Sequence, residues 1–278
     1  MAIKEPRFWG LHANPPQWMR WMLAALPFVL CLIVYMVASD IRHKENPQDK
    51  ILPSLTQMKN AVYRMAFTED TRTGDYLMLK DTTSSLRRIA IAIFFSALLG
   101  LILGINIGLF PGLDALSSIF VTFVSIIPPL ALLPILFISF GVDELAKIML
   151  IFIGTFPLIT RDIFITVKKM PKEMITKALT LGATPLQVAY QIVLPQVFPR
   201  LLDTLRLSFG AGWLFLIASE AIASTDGLGY RIFLVRRYLA MDIIIPYTIW
   251  ITFLGFATDW CLKKLILWKF QWYRATTT

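Results

Sequence analysis

The sequence predicts an all-α integral membrane protein with six membrane-spanning helices. Of its 278 residues, 56% are hydrophobic and only 16% are charged, which is too apolar a composition for an ordinary soluble domain of this length. Three windows, residues 21–39, 89–110 and 115–142, contain no Asp, Glu, Lys or Arg. At about 1.5 Å per residue, a helix over each window crosses the roughly 30 Å hydrocarbon core of a bilayer.

The first window, 21–39, has two interpretations. The cations Lys4, Arg7 and Arg20 precede it, as they would in a cleaved signal peptide. Its apolar run is longer than the roughly 7 to 15 residues of such peptides. A retained first span is therefore favoured.

The remaining three spans are less purely apolar than the first three. Each of their windows carries one charged residue, and charge inside a span is costly unless it is compensated. The windows are 145–160 with Lys147, 207–225 with Glu220, and 243–262 with Asp259.

Several residues inside the spans are candidates for lining a translocation path. Pro128 and Pro129 interrupt the third span, either as simple kinks or because a cavity satisfies the freed carbonyl groups. Glu220 is either a functional ionisable group or a structural carboxylate hydrogen-bonded to loop amides near the outer interface. Trp213, beside Gly210 and Gly212, is consistent with a gate, a subunit interface or plain packing.

The distribution of basic residues sets the predicted orientation. With the N-terminus in the cytoplasm, 14 Lys and Arg lie inside and 13 outside, and nine of those 13 fall in the long segment 40–88 with seven acidic residues. Long loops are discounted in such counts, so cytoplasmic N- and C-termini are favoured. Within the external segment, apolar residues at helical spacing predict an interfacial amphipathic helix. They are Leu55, Met58, Val62, Met65 and Ala66.

One integral membrane domain accounts for the whole chain. The predicted parts are a cytoplasmic segment 1–20, a first span 21–39, an external segment 40–84, a five-span core 85–267 that includes a loop at 170–195, and a cytoplasmic tail 268–278.

The loop at 170–195 contains the helix start and stop signals of a helical hairpin. Met170-Pro171 opens one helix, and Gly182 supplies a residue that adopts left-handed angles at little cost. Thr184-Pro185 with Gln187 predicts a capped start for the next helix, and Pro195 predicts its end. The result is two short amphipathic helices bent at Gly182 on the cytoplasmic face, serving either as a plain connector or as a docking element for a soluble partner.

The same loop resembles the signature loop of permease subunits in ATP-binding-cassette importers of type I architecture. That signature reads E-A-A, three residues, G, nine residues, I, one residue, L-P. Ala178, Gly182, Ile192, Leu194 and Pro195 match its spacing, whereas Thr176 and Lys177 replace the first E-A. Further stretches resemble the nitrate, sulfonate, taurine and bicarbonate branch of this family. They are SLRRI from Ser85, IIPPLALLPILFISFG from Ile126 and ASEAIASTDGLG from Ala218.

The resemblance implies a fold, a mechanism and a set of partners. It implies the type I permease fold, with the hairpin between spans four and five inserted into an ATPase subunit. It further implies a homodimer in the bacterial inner membrane, contact with membrane lipid, two ATPase subunits, and an external binding protein that delivers a small anionic solute. The residues implied in ATPase coupling are Lys177, Ala178, Gly182, Ala183, Thr184, Pro185, Ile192, Leu194 and Pro195.

This chain is not expected to bind a cofactor or to catalyse a reaction. It has no GxxxxGK[ST] phosphate loop, so ATP and Mg²⁺ are expected on a separate ATPase subunit. An integral membrane enzyme is disfavoured because the two histidines, His12 and His43, lie outside the spans, and neither HExxH nor GxSxG occurs. No metal site is expected, and the scattered basic residues do not indicate nucleic acid binding.

Two questions stay open at this stage. Arg231, Arg236 and Arg237 before the last span have guanidinium groups suited to an anion, but they fit interfacial anchors or contacts to a binding protein equally well. The alternative function is an ion-coupled secondary transporter that uses Glu220 or Asp259. It would require inverted repeats, which the sequence does not show, and it would leave the hairpin unexplained.

Overall fold

A computed structural model describes residues 15–46, 49–70, 74–222 and 224–273 of the chain, and every regular element in these ranges is helical. Residues 1–14, with His12 and most of the predicted segment 1–20, and residues 274–278 of the predicted tail lie outside them. The helices are α1 (Gln17–Glu45), α2 (Leu55–Phe67), α3 (Leu77–Leu109), α4 (Pro111–Val124), a 3₁₀ turn (Pro129–Leu132), α5 (Leu133–Phe140), α6 (Glu144–Lys168), α7 (Lys172–Thr180), α8 (Pro185–Gln187), a π-helical segment (Val188–Val193), α9 (Leu194–Ile222), α10 (Leu228–Arg236) and α11 (Met241–Lys269).

The prediction of six spans is confirmed if one broken span is counted. Five helices in the described ranges are long and apolar enough to cross a membrane, namely α1, α3, α6, α11 and the continuous helix Pro185–Ile222. The sixth is the pair Pro111–Val124 and Pro129–Phe140, which is bent by 85°. Pro128 and Pro129 cause this break because neither ring nitrogen can donate the hydrogen bond that a continuing helix needs.

The predicted and observed helix boundaries differ most at the second span. The charge-free window begins at Ile89, whereas α3 begins at Leu77, inside the predicted external segment 40–84. Its first three turns carry Asp81, Ser85 and Arg88, all of them buried. Their polar partners lie on other helices, so the apolar window alone underestimates the length of the helix.

Helices α3 and α6 pack closely and in parallel along a ridge of three glycines at four-residue spacing. A β-carbon added at Gly104 would lie 2.7 Å from Cβ of Ile163, and the other two glycines are as crowded. Small residues let backbones approach in this way inside membranes. The facing pairs are Gly100 with Ile159, Gly104 with Ile163, and Gly108 with Val167.

Replacing Gly104 with alanine is expected to destabilise the bundle. The new methyl group has no space against Ile163, and such overpacking typically costs about 1–3 kcal/mol. Thermal unfolding in detergent measures the effect. Gly112→Ala is the matched control because no atom lies within 4 Å of its added β-carbon. Equal unfolding temperatures for the two variants would contradict this packing.

Helix α1 lies at the edge of the bundle and buries only Ser39. It is tied to the rest through the segment that follows it. Tyr35 donates a hydrogen bond of 2.7 Å to the carbonyl of Pro53, and Ser39 donates one of 3.1 Å to the carbonyl of Leu52. The predicted amphipathic helix is present as α2, with a capping box formed by Ser54 and Gln57. It packs against α11 and α3.

The prediction that the second helix of the hairpin ends at Pro195 is wrong. The chain continues without a break from α8 through the π-helical segment Val188–Val193 into α9. The amide of Leu194 donates to the carbonyl of Ala189, five residues back. This wider turn changes the position of the carbonyls that would otherwise clash with the ring of Pro195, so the helix accommodates the proline.

Candidate functional site

The bend between α7 and α8 is built around Gly182. Its φ is +87°, and an added β-carbon would meet no atom within 4 Å, so the requirement for glycine is conformational rather than steric. The amide of Gly182 donates 3.0 Å to the carbonyl of Leu179, and the amide of Ala183 donates 3.1 Å to that of Ala178. This pair of bonds is the Schellman ending expected of a C′ glycine.

The start of the next helix is fixed by its own side chains. The amide of Gln187 donates to the hydroxyl of Thr184 over 3.3 Å, and the amide of Thr184 donates to the side chain of Gln187 over 2.8 Å. Pro185 occupies the first helical position. The predicted capping box is therefore confirmed.

The bent segment presents an apolar surface away from the bundle. Leu181 is 88% exposed, and Leu179 and Leu186 are also exposed. A cluster of exposed large apolar side chains on a tight bend indicates an interaction surface. Of the residues implied in coupling, those exposed are Lys177, Gly182, Thr184, Pro185 and Pro195, and those half-buried are Ala178, Ala183, Ile192 and Leu194.

The helices on either side of this surface are clamped together. Arg200 of α9 donates two hydrogen bonds to Asp162 of α6, of 2.9 and 2.6 Å, and Thr204 donates a third of 2.5 Å. Lys168 contacts Asp114 of α4 at 2.6 Å. These contacts join α6 to α9 and to α4.

Asp203 and Arg206 of α9 form an ion pair of 3.1 Å that belongs to a larger group. Arg206 also donates to both carboxylate oxygens of Asp259, over 2.8 and 3.1 Å. Asp259 of α11 is therefore engaged by α9.

At the other end of the bundle, Arg88 is the centre of a buried network. It is 2% exposed, and its guanidinium group contacts Glu220, which is fully buried, at 2.7 Å. It also donates to Glu144 over 2.7 and 2.6 Å, to the carbonyl of Asp226 over 3.0 Å, and to the Asp226 carboxylate. One side chain therefore joins α3, α6, α9 and the turn before α10.

Glu220 accepts several further hydrogen bonds. Ser85 donates over 2.8 Å and the backbone amide of Gly229 over 2.8 Å. A β-carbon at Gly227, whose φ is +116°, would fall 2.5 Å from the carboxyl carbon of Glu220, so only glycine fits there. Glu220 is therefore positioned as a structural carboxylate that is hydrogen-bonded next to the loop before α10.

Arg231 is engaged by Asp81 in the same region. Its guanidinium group donates to Asp81 over 2.8 and 3.3 Å, and Tyr247 and the amide of Gly227 donate to the same carboxylate over 3.2 and 3.0 Å. Of the interpretations left open for Arg231, anion contact is the one that competes with this arrangement, because Asp81 already accepts hydrogen bonds from two of its guanidinium nitrogens. Arg236 and Arg237 are exposed.

The other predicted path residues lie in separate places. Pro129 is next to Gly154 of α6, and Trp213 lies beside Gly255 of α11. Among the described residues, the buried indole N–H of Trp213 has no hydrogen-bond partner. In a single chain these residues do not converge with Glu220, which faces α3 and α10.

Sequence reasoning missed Asp81, Arg88, Glu144 and Asp226 as parts of one network. The partners that join them are 56 to 166 positions away in the sequence, so no local pattern reveals them. The sequence did contain one signal for this network, because residues 85–89 and residues 218–229 both resemble the same branch of permease subunits. The structure brings these two stretches into contact.

Comparison with known proteins gives a family match and named relatives. Residues 96–266 match the family described as binding-protein-dependent transport system inner membrane component. TauC, a taurine transport system permease protein of Escherichia coli, is 33% identical over 69% of this chain and 70% of its own length. CmpB, a bicarbonate transport system permease protein of Synechococcus elongatus, is 29% identical over 69% of this chain and 68% of its own.

A solved structure shares the fold. A chain of the MetNI methionine ABC transporter, in an inward-facing conformation, superposes with a TM-score of 0.57 over 70% of this chain and 99% of that one. The two sequences are 20% identical, so this likeness extends to the fold alone.

Proposed function

The chain belongs to the family of binding-protein-dependent transport system inner membrane components, and from that premise we propose that it carries a small anion as the permease subunit of an ATP-driven importer. The solute class is that of a sulfonate such as taurine, nitrate or bicarbonate. Support comes from relatives named for taurine and bicarbonate transport.

The main observation in support of this proposal is the bent segment at Gly182. Its exposed leucines form a surface for the ATPase subunit, which holds ATP and Mg²⁺. The clamp between Asp162 and Arg200 then passes ATPase closure to α6 and α9. The residues proposed to form or support the docking surface are Lys177, Ala178, Gly182, Ala183, Thr184, Pro185, Ile192, Leu194 and Pro195.

The ATPase lies in the cytoplasm, so the bent segment faces the cytoplasm and both chain termini lie on the same side. The turn between α10 and α11 then faces outward, since α9 separates it from the bent segment by 29 helical residues. Arg236 and Arg237 are on this outer side, where they attract an anion or a binding protein. The family places the protein in the inner membrane.

A second copy of the chain completes the translocation path for the solute. The exposed apolar faces of α1 and of the broken α4–α5 pair supply surface for that copy and for lipid. Pro128, Pro129 and Trp213 are proposed to line the path between the two copies.

An ion-coupled secondary transporter is not favoured. Its two candidate carboxylates, Glu220 and Asp259, are engaged by Arg88 and Arg206. Cycles of ion binding would require these contacts to break in every turnover.

Purification of the chain with candidate ATPase and solute-binding proteins of the same organism tests the proposal. We expect co-elution with one ATPase. We further expect ATP hydrolysis to rise when one binding protein is added with taurine, an alkanesulfonate, nitrate or bicarbonate. Absence of co-elution with every ATPase tried would count against the proposal, and stimulation by a cationic solute alone would overturn the anion assignment.

A further inference from the structure

The turn between α10 and α11 presents two large apolar side chains to the outside of the bundle. Tyr238 is 70% exposed and Leu239 is 58% exposed. Leu239 has a φ of +54° and is the one residue other than glycine with a positive φ in the described part of the chain. We call Tyr238 and Leu239 the outer knob.

The backbone of this turn favours glycine at position 239. The amide of Leu239 donates 3.1 Å to the carbonyl of Arg236, and the amide of Ala240 donates 3.4 Å to that of Val235. This is the bonding pattern formed around Gly182, where glycine adopts the left-handed angles without strain. Leucine is strained in this conformation, and its side chain points away from the core. Folding therefore gives no reason for a leucine here.

The outer knob borders a polar cleft of about 490 Å³ between the α10–α11 turn and the segment that follows α1. Charged and amide groups line it, which indicates contact with water rather than with lipid tails. The lining residues are Asp49, Lys50, Pro53, Gln57, Tyr238, Ala240 and Asp242.

The two acidic residues of the cleft already have cationic neighbours. Asp49 accepts hydrogen bonds from the amide of Ile51 at 3.0 Å and from Arg42 at 2.6 Å. Its pKa lies below the usual value, first because of the Ile51 amide and then because of Arg42. Asp242 lies 3.9 Å from Arg64.

The basic residues around the knob are not neutralised in this way. Within the described ranges, Lys50, Arg236 and Arg237 form no ion pair with a carboxylate. Arg236 instead lies over the ring of Phe233, 5.5 Å from its centroid. The outer knob is therefore an exposed apolar projection close to three basic residues that have no carboxylate partner in the described part of the chain.

We propose that the outer knob is the contact site for the external solute-binding protein. The complementary surface on that protein is an apolar pocket for Leu239, bordered by carboxylates that face Lys50, Arg236 and Arg237. Apolar anchors with a charged rim are typical of transient protein interfaces. This inference rests on the proposed function, which supplies the binding protein and the outward orientation.

The substitution Leu239→Gly separates docking from folding. Glycine relieves the strained backbone and removes only the exposed side chain, so we expect an unchanged or higher unfolding temperature. The binding-protein concentration that half-maximally stimulates ATP hydrolysis is expected to rise about tenfold, as for loss of an interface anchor. Leu239→Ala, which keeps the strain, is expected to weaken the response equally without raising the unfolding temperature. The probe is the binding protein that stimulates the native complex.

Leu79→Ala is the matched control, because Leu79 is an exposed leucine at the same end of the bundle, and its response is expected to equal that of the native chain. If the binding protein stimulated ATP hydrolysis by the Leu239→Gly complex as strongly as that of the native complex, the inference would be overturned and the proposed function would stand. A halved oligomeric mass would assign the knob to a second copy and would overturn it as well. If no binding protein stimulates the native complex, the proposed function fails and this inference fails with it.

Discussion

Replacing Gly182 with valine is expected to abolish ATP-driven uptake while leaving the membrane bundle folded. Valine at a φ of +87° is strained because left-handed angles cost a residue with a β-carbon about 1–2 kcal/mol, and more when it is β-branched. The bent conformation therefore loses at least about tenfold in population. Measured binding of the ATPase subunit should weaken by at least that factor.

Two controls separate the bend from general damage. Gly74 has a similar φ of +70° and open space around it, so Gly74→Val imposes comparable strain far from the docking surface and should preserve ATPase binding. Asparagine tolerates left-handed angles better than valine, so Gly182→Asn should retain much of the native affinity. If Gly182→Val bound the ATPase as tightly as the native chain, the bend would have no part in docking.

Removing the guanidinium group of Arg88 is expected to produce the largest loss of stability. The substitution Arg88→Met leaves the fully buried Glu220 without its cationic partner. Breaking a buried ion pair from one side typically costs about 3–5 kcal/mol. We expect poor accumulation in the membrane and a strongly lowered unfolding temperature of whatever protein is recovered.

A double substitution tests whether the unpaired charge of Glu220 causes this loss of stability. Arg88→Met combined with Glu220→Gln removes both charges, so the loss should be smaller than the sum of the single losses. Lys80→Met is a control in the same helix, because Lys80 and Asp75 form an ion pair of 2.7 Å that is exposed on both sides. Exposed pairs contribute about 0–1 kcal/mol. Equal effects of Arg88→Met and Lys80→Met would refute the central role of Arg88.

The sequence predicted features whose causes are local. The Schellman ending at Gly182 and the capping box at Thr184 depend on residues within five positions of each other, so composition and order suffice. The amphipathic helix α2 was predictable for the same reason. The break at Pro128 and Pro129 follows from two missing backbone donors.

Features that depend on distant contacts were not predictable in this way. Glu220 left two interpretations open because its partners Ser85 and Arg88 lie more than 130 positions earlier. Arg231 kept several interpretations, anion contact among them, because nothing near it in sequence indicates Asp81. The ending predicted at Pro195 failed because a π-helical segment is a subtle local adjustment that one proline does not reveal.

Uptake of labelled taurine, alkanesulfonate, nitrate or bicarbonate into proteoliposomes is the most direct measurement. The vesicles contain the chain with its ATPase, and the binding protein is added on the side of the outer knob. We expect accumulation that requires both the binding protein and ATP on the side of Gly182, and that persists when ion gradients are collapsed. Accumulation driven by an ion gradient in vesicles that contain this chain alone would contradict the account.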